Sequence, residues 1–207
     1  MTRPIVVTGT DTDIGKTVFA AGLAALLGAH YWKPVQAGLA DGSDSARVAA
    51  LGLPPEKVLP EAYRLTTPCS PHRAAEIDGI AIDPRALALP RVDGPLVVEG
   101  AGGALVPVTR GLLYADLFAR WEAPVVVVAA TALGTINHSL LTIEALRARG
   151  VSILGIAFVG DADPDNEATI CAIGQVARLG RLPWLDPLDA DTLAAAFANA
   201  FDPGHFA

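Results

Sequence analysis

Cysteine is scarce in this 207-residue sequence, which contains only two. Cys69 and Cys171 lie far apart and neither belongs to a CxxC pair, so the pattern excludes a disulfide framework and a cysteine-based zinc site. We expect both side chains to be buried or half-buried thiols without a chemical role.

Long apolar runs are also missing. Apolar residues make up 52% of the chain, but Gly, Pro or a charge interrupts every run before the roughly 18 residues that a membrane span requires. The opening "MTRPIVV" enters a strand pattern directly and lacks the features of a secretory signal. The sequence therefore predicts a soluble, cytoplasmic protein without a membrane partner.

Positive charge is in deficit, because 22 Asp and Glu residues outnumber 15 Lys and Arg residues and give a formal net charge of −7. Nucleic-acid backbones are bound by clustered Lys and Arg, so we expect no nucleic-acid partner. A small anion needs only a local cation, and the sequence remains compatible with such a ligand.

What the chain does contain is an alternation of short apolar runs and helical patterns. Strands are predicted at residues 5–8, 31–35, 95–100, 124–131, 151–159 and 181–185. Helices are predicted at residues 16–27, 44–51 (N-capped by Ser43), 84–89, 114–121, 136–149, 164–179 and 191–201, with residues 54–79 mostly loop. Strands that are apolar on both faces and separated by helices predict one doubly wound, mostly parallel α/β domain over residues 1–207.

The stretch "VVTGTDTDIGKT", from Val6 to Thr17, joins the first strand to the first helix. A strand, a Gly-containing loop and Gly-Lys-Thr at a helix start form the arrangement of a P-loop. There, backbone N–H groups surround phosphate oxygens, Lys16 neutralises the β/γ charge and the Thr17 hydroxyl holds Mg²⁺. The spacing departs from the usual GxxxxGK[ST], since Thr10 replaces the first glycine and Gly9 lies one residue earlier. The pattern predicts a triphosphate site at the carboxyl edge of the sheet.

Three charged residues follow predicted strands and are candidates for the same site. Glu99 ends the buried run "PLVVE" and is placed to bind Mg²⁺. Asp44 follows the second strand and is interpreted either as a second Mg²⁺ ligand or as a helix-capping, solvated acid. Lys33 ends the second strand and is either a cation directed at the site or a solvated strand end.

The variant loop "TGTDTDIGKT" resembles that of the dethiobiotin synthetases, P-loop enzymes of biotin synthesis. Further segments match that family in order along almost the whole chain: "KPVQAG" from Lys33, Ser43–Asp44, "SPH" from Ser70, "VEGAGG" from Val98, "LGTINHSLLT" from Leu133 and "PWL" from Pro183. Each segment is weak evidence alone, and together they are specific. The resemblance implies a P-loop NTPase-like fold.

The resemblance also implies a reaction. Members convert 7,8-diaminononanoate, CO2 and ATP to dethiobiotin, ADP and phosphate by forming a carbamate, phosphorylating it and closing a cyclic urea. The implied catalytic residues are Lys33, Lys16 and Thr12, and the implied Mg²⁺ ligands are Thr17, Asp44 and Glu99. The implied ATP-binding residues are Asp13, Ile14, Gly15, Lys16, Thr17, Val18, Glu99, Gly100, Gly102, Gly160, Pro183 and Trp184.

Substrate contacts are carried over in the same way, to Thr12, Asp13, Lys33, Ala37, Gly134, Thr135, Ile136 and Asn137. The last four lie just before and at the start of the helix predicted at residues 136–149, whose N-terminus favours an anion such as the remote carboxylate of the substrate. In the family this segment serves the site of a neighbouring subunit. The resemblance therefore implies a homodimer with shared active sites.

Three positions depart from the family pattern. Ala37 replaces a frequent Ser, which puts a hydroxyl contact in doubt, and Asp13 replaces a frequent Glu with a carboxylate one methylene shorter. An Asn that often reads adenine is missing near Val159 and Gly160. Base selectivity is then either loose or dependent on backbone groups near Phe158, Gly160, Pro183 and Trp184.

Other functions are less compatible with the sequence. ParA-like regulatory ATPases carry an extra lysine five residues before the P-loop lysine, and Asp11 occupies that position here. Cobalamin-pathway amidating enzymes share the fold but need a glutaminase domain, for which 207 residues leave no room. A nucleotide-binding module without catalysis remains a third alternative.

Overall fold

A computed structural model of the chain describes residues 3–206. In that part of the chain the strands are β1 (Ile5–Gly9), β2 (His30–Trp32), β3 (Val35–Ala37), β4 (Val58–Leu59), β5 (Tyr63–Leu65), β6 (Leu96–Gly103), β7 (Pro107–Thr109), β8 (Leu112–Leu113), β9 (Val125–Ala130), β10 (Ile153–Val159) and β11 (Arg178–Leu182). The α-helices are α1 (Lys16–Leu27), α2 (Asp44–Ala50), α3 (Pro71–Asp78), α4 (Tyr114–Trp121), α5 (Thr135–Arg147), α6 (Pro164–Gly174) and α7 (Ala190–Ala200). Short 3-10 helices lie at Pro55–Lys57, Pro84–Leu87 and Pro203–Phe206.

Seven strands form one parallel sheet in the order β11-β10-β9-β1-β6-β2-β4. Two further pairs, β3 with β5 and β7 with β8, lie outside this sheet. The predicted α/β class with a parallel sheet is confirmed. Among residues 3–206, no helix has the length and apolar character needed to cross a membrane.

The central strands are buried on both faces, which explains their continuous apolar runs. In β1, Val6 packs into one core cluster and Val7 into the other, on the opposite face of the sheet. Val98 and Val97 of β6 divide in the same way. Burying each such side chain contributes about 1.5–3 kcal/mol relative to leaving it exposed.

One face of the sheet is covered by α1 and α7, which meet at a glycine. A Cβ on Gly22 of α1 would lie 2.2 Å from Cδ2 of Phe197, so only glycine lets α7 approach this closely. The rings of Phe19, Phe197 and Phe201 pack together, with centroids 4.4–5.3 Å apart. The helix that follows the P-loop is thereby held by residues from the other end of the described chain.

The strand order brings three loops together at the carboxyl edge of the sheet. Strand β6 pairs with β1 on one side, where Val7 lies opposite Glu99, and with β2 on the other, where Trp32 lies opposite Val98. The P-loop after β1, the carboxylate of β6 and the segment after β2 are therefore neighbours, as expected for parallel strands.

Several predicted elements agree closely with the structure, and others do not. The helices predicted at residues 16–27 and 114–121 are confirmed at both ends. The strand predicted at residues 31–35 is wrong as a single element, because it divides into β2 and β3 around Lys33-Pro34. Proline has no N–H group to continue the ladder of the main sheet.

The interpretation of residues 54–79 as mostly loop is also wrong. The segment contains a 3-10 helix, β4, β5 and α3. Helix α3 begins with Pro71 in its first turn and buries Pro71, Ala74 and Ala75, at the i, i+3, i+4 spacing of a helical face. Because these residues are small, the face gives a weak hydrophobic signal.

The helix predicted at residues 164–179 ends earlier than expected. Helix α6 stops at Gly174, and Gln175 adopts the left-handed conformation of a helix cap, with a φ of 48°. The last strand, predicted at residues 181–185, is instead β11 at Arg178–Leu182. As the edge of the sheet β11 carries two arginines, so its sequence lacks the apolar run of a central strand.

Candidate active site

The loop between β1 and α1 has the backbone of a phosphate-binding loop. Asp13 and Gly15 adopt positive φ angles of 53° and 91°, which turn the chain before α1 begins. A Cβ on Gly9 would lie 2.7 Å from Cδ of Lys16, so glycine leaves room for the lysine stem to fold back over the loop. The Lys16 ammonium donates to the carbonyl oxygen of Asp11. The loop therefore holds a cation above the N-terminus of α1.

The ammonium of Lys33 lies between two carboxylates. Its Nζ is 2.8 Å from Glu99 Oε1 and 2.7 Å from Asp44 Oδ2. It also donates to the carbonyl oxygen of Gly100 at 3.0 Å. The hydroxyl of Thr17 donates to the same Glu99 Oε1 at 2.9 Å. The predicted cation, the P-loop hydroxyl and both predicted acids thus form one cluster.

Local structure holds Asp44 in this cluster. The Ser43 hydroxyl accepts a hydrogen bond from the Ala46 N–H and caps α2, as predicted. The side-chain oxygen of Gln36 accepts a hydrogen bond from the backbone N–H of Asp44 at 3.0 Å. Asp44 is therefore the first residue of a capped helix and not a freely solvated acid.

Burial and neighbouring charges set the ionisation of the cluster. Burial alone would lower the pKa of Lys33, but the negative charges of Glu99 and Asp44 outweigh it and raise that pKa. Burial would raise the pKa of Asp44, and the charge and hydrogen bond of Lys33 lower it instead. Burial lowers the pKa of Lys16 to about 8, despite the opposing charge of Glu99. At neutral pH these groups carry their charges.

The cluster opens into a cavity of about 890 Å³. Part of its wall is formed by the largely apolar side chains of Val159, Leu182, Pro183, Trp184, Leu185 and Leu188. Further lining residues lie within positions 36–42 and 68–71. The predicted site residues that line the cavity are Thr12, Asp13, Gly15, Lys16, Thr17, Val18, Lys33, Ala37, Asp44, Glu99, Gly102, Pro183 and Trp184.

Three predicted residues lie beside the cavity and not on its wall. The Ile14 side chain is buried and packs in the core with α1. Gly100 contributes its carbonyl oxygen to Lys33, and the carbonyl oxygen of Gly160 accepts a hydrogen bond from Arg181 at 2.7 Å. Gly100 and Gly160 have no side chain, so any contact that they make with a ligand would be through the backbone.

Gly134, Thr135, Ile136 and Asn137 lie at the start of α5, away from the wall of this cavity. Gly134 has a φ of 94° and precedes the helix, and Leu133 before it is fully exposed. The same end of α5 borders a second cavity of about 380 Å³ through His138, and Thr12 lines both cavities. The α5 segment is thus near the P-loop but outside the cluster around Lys33.

The donor set fits a magnesium ion. Thr17, Asp44 and Glu99 offer hydroxyl and carboxylate oxygens, the hard ligands that Mg²⁺ prefers alongside substrate phosphates. A positive group, the Lys33 ammonium, already contacts both carboxylates, so the position accepts a cation. Among residues 3–206 no three His, Cys, Asp or Glu side chains form a metal cluster, so a bound ion would also need ligands from phosphate or water.

Comparisons with known proteins agree with this geometry. A family model described as an AAA domain matches residues 3–192. A protein of Rhizorhabdus wittichii named ATP-dependent dethiobiotin synthetase BioD is 69% identical, over 100% of both chains. The chain belongs to the dethiobiotin synthetase family. A protein of the same name from Novosphingobium aromaticivorans is 68% identical over 98% of each chain.

The fold is shared more widely than the family. The crystal structure of a ParA family ATPase from Chlorobium tepidum matches with a TM-score of 0.54, covering 95% of this chain and 98% of that one. Its sequence is only 11% identical, so the likeness shows the P-loop fold and nothing about activity.

Three positions that depart from the dethiobiotin synthetase pattern line the main cavity. Ala37 lines the cavity and offers it no hydroxyl group, and Asp13 exposes its carboxylate at the cavity wall. Val159 faces the cavity with an apolar side chain. This position therefore offers a ligand an apolar contact and no amide group.

Sequence reasoning missed two polar residues of the cluster. Gln36 lies within the quoted "KPVQAG" and positions Asp44. Tyr31 lies two residues before Lys33, and its hydroxyl donates to Glu99 Oε2 at 2.8 Å. Side chains two residues apart on an extended segment point the same way, and this spacing was the available signal for Tyr31.

Proposed function

We propose that this chain is an ATP-dependent dethiobiotin synthetase that converts 7,8-diaminononanoate, CO2 and ATP to dethiobiotin, ADP and phosphate. The observation that carries the proposal is the Lys33 ammonium held between Glu99 and Asp44 beside the P-loop. The 69% and 68% identities to proteins of that name support the choice of reaction.

Lys33 and Lys16 supply positive charge where negative charge develops. A carbamate formed from one substrate amine and CO2 is an anion, and its phosphorylation by ATP moves charge onto the transferred phosphoryl group. In our proposal Lys33 contacts the carbamate and Lys16 the β- and γ-phosphates. Both ammonium groups are fixed in place before the substrates bind, so little reorganisation is needed.

The P-loop and the cluster bind the triphosphate together. Backbone N–H groups of residues 13–18 face phosphate oxygens at the start of α1. Thr17, Asp44 and Glu99 would hold Mg²⁺, which when bound supplies charge neutralisation at those oxygens. Thr12 and Asp13 line the cavity beside the P-loop, where the amine substrate and the γ-phosphate have to meet.

Ring closure depends mainly on positioning. The second amine attacks the activated carbamate within the same bound molecule, so its effective concentration is high. The part of the wall that contains Ala37 suits the diamine, whereas the apolar part with Pro183 and Trp184 suits a nucleotide base. Gly160, whose carbonyl is held by Arg181, would support the base through the backbone.

We also propose a homodimer in which each active site is completed by its neighbour. Residues 134–137 lie away from the main cavity, yet a helix N-terminus is suited to the remote carboxylate of the substrate. Leu133 precedes this segment and Leu141 follows it on α5. Both side chains are exposed, as expected of a surface that another subunit covers.

A ParA-like regulatory ATPase is the alternative function. The fold is shared, but Asp11 stands where such proteins carry their additional lysine. Here Asp11 uses its carboxylate to accept the Thr12 N–H at 2.7 Å, within the loop itself. Asp11 therefore stabilises the P-loop and contributes no cation to a partner subunit.

Turnover of the complete mixture tests the proposal. Purified protein is incubated with diaminononanoate, bicarbonate, Mg²⁺ and ATP, and ADP and the ureido product are followed together. We expect Lys16→Ala and Lys33→Ala to abolish product, while Lys57→Ala, whose ammonium contacts Gly28 at the far end of α1, retains it. ATP binding without CO2-dependent product would instead indicate a non-catalytic module, and normal turnover by Lys33→Ala would refute its role.

Mixed variants test the shared site. Lys16→Ala and Asn137→Ala are each expected to be inactive, but a mixed dimer contains one site with neither change. Random exchange of equal amounts makes half of the dimers mixed, with one intact site of two in each, so recovery of about a quarter of native activity is expected. No recovery from subunits shown to exchange would contradict donation of residues 134–137 across the interface.

A further inference from the structure

Tyr31 is a buried residue of β2 that contacts the cluster from behind. Its side chain is fully buried, and its hydroxyl donates to Glu99 Oε2 at 2.8 Å. Tyr31 is not among the residues that line the cavity. It therefore touches Glu99 without reaching the space that ATP would occupy.

The two oxygens of Glu99 have different partners. Oε1 accepts hydrogen bonds from Thr17 at 2.9 Å and Lys33 at 2.8 Å, both of which line the cavity. Oε2 accepts its bond from Tyr31. The carboxylate is only 1% exposed, so loss of a donor would leave a buried oxygen unpaired.

Binding of a Mg²⁺–nucleotide would change the partners of Oε1 but not that of Oε2. A ligand at Oε1 competes with the Thr17 hydroxyl and the Lys33 ammonium for the same oxygen. The Tyr31 hydroxyl has no such competitor, because it lies on the opposite side of the carboxylate. Tyr31 is thus the constant partner of Glu99 in both states.

We infer that Tyr31 is a positioning residue, which fixes the rotation of the Glu99 carboxylate so that Oε1 faces the phosphate site. This inference rests on the proposed Mg²⁺–nucleotide site. Its consequence is that the Tyr31 hydroxyl sets how much Mg²⁺ the protein needs to bind nucleotide tightly, as partners behind a metal ligand commonly do.

Equilibrium binding of ADP at increasing Mg²⁺ concentration tests the inference without turnover. Tyr31→Phe removes only the hydroxyl. The Mg²⁺ midpoint is the Mg²⁺ concentration at which its effect on ADP affinity is half-maximal. We expect Tyr31→Phe to raise this midpoint about tenfold, since changes to the partners of metal ligands typically cost 10- to 100-fold in metal affinity. ADP affinity without Mg²⁺ should stay native.

Tyr114→Phe is the matched control. Tyr114 is also fully buried, but within residues 3–206 its hydroxyl makes no hydrogen bond to Glu99. Its removal should leave the Mg²⁺ midpoint unchanged. A shift of equal size in both variants would show a general effect of core changes and overturn the inference.

Two other outcomes separate failure of this inference from failure of the proposed function. A native Mg²⁺ midpoint in folded Tyr31→Phe overturns the inference, whereas failure of the native protein to bind ADP with Mg²⁺ overturns the proposed function itself. If Tyr31→Phe does not fold, Tyr31→Met is measured in the same way, because its flexible side chain fills the space but offers no donor. A native midpoint in that variant likewise overturns the inference.

Discussion

Glu99 and Glu167 are both buried carboxylates, and they are compensated in different ways. Glu99 is 1% exposed and is paired with Lys33, whose side chain is only 4% exposed. Glu167 of α6 is 3% exposed, but its partner Arg178 on β11 is half exposed, with a 2.7 Å contact. The first pair takes both charges out of water, and the second leaves the cation partly solvated.

This difference distinguishes Glu99, in the candidate active site, from Glu167, which links a helix to the sheet. Removing both charges of a pair from water carries a desolvation penalty that mutual attraction often fails to recover. The pair at Glu99 incurs that penalty beside a cavity, whereas Glu167 joins α6 to the edge of the sheet through Arg178 and Arg181. A buried charge alone does not mark an active site; its position at the carboxyl ends of β1, β6 and β2 does.

The largest effect is expected from Glu99→Gln. It keeps the shape of the side chain but removes the charge that compensates Lys33 and would bind Mg²⁺. Turnover should fall about 10²- to 10³-fold, the range seen when one preorganised electrostatic contact is lost. ADP release with all substrates saturating measures this, and Glu167→Gln is the control that should retain turnover. Equal losses in both variants would erase the distinction between the two carboxylates.

Glu167→Gln should instead lower stability. It leaves the guanidinium groups of Arg178 and Arg181 without their anion, although both remain partly solvated. We expect a loss of about 1–3 kcal/mol in the free energy of unfolding, below the cost of breaking a fully buried pair. Urea unfolding measures it. A loss under about 0.5 kcal/mol, typical of surface substitutions, would show that this link contributes little.

Arg181→Met and Arg178→Met sharpen the comparison further, because both arginines contact Glu167 but only Arg181 holds the Gly160 carbonyl. Loss of that hydrogen bond, worth about 1 kcal/mol, should raise KM for ATP about fivefold in Arg181→Met without changing kcat. Arg178→Met should leave KM unchanged. The same KM in both variants would place Gly160 outside ATP binding.

The smallest effect is expected at Glu76, an exposed carboxylate that contacts two arginines. Hydrogen bonds from Arg110 and Arg73 lower the pKa of Glu76 to about 2. The folded value lies below the ordinary one near 4.5, so this group adds stability above that pH and loses it as pH falls toward 2. Glu76→Gln should therefore flatten the dependence of stability on pH between about 4.5 and 2, as measured by urea unfolding. An unchanged slope would contradict the pairing.

The sequence predicted the P-loop and its supporting elements well. The run from Val6 to Leu27 combines a buried strand, a glycine-containing turn and a largely buried apolar helix, and local preferences agree with the fold there. Glu99 and Lys33 were placed near the loop because the carboxyl ends of parallel strands share an edge. That they contact each other follows from the pairing of β2 with β6, which only the structure supplies.

Other features have no local signature in the sequence. The β3–β5 and β7–β8 pairs contain only two or three residues per strand, too few for a periodic pattern. Tyr31 was missed because a tyrosine in a strand is common in any core, and its role depends on one distance to Glu99. Gln36 was missed because its target is the backbone of Asp44, eight residues away.

The glycine contact between α1 and α7 has a consequence for biosynthesis. The ribosome synthesises Phe19 before Phe197, so the nascent chain carries an uncovered aromatic surface until α7 emerges. The loop that precedes α1 is therefore made well before Phe197 and Phe201 complete the packing behind it.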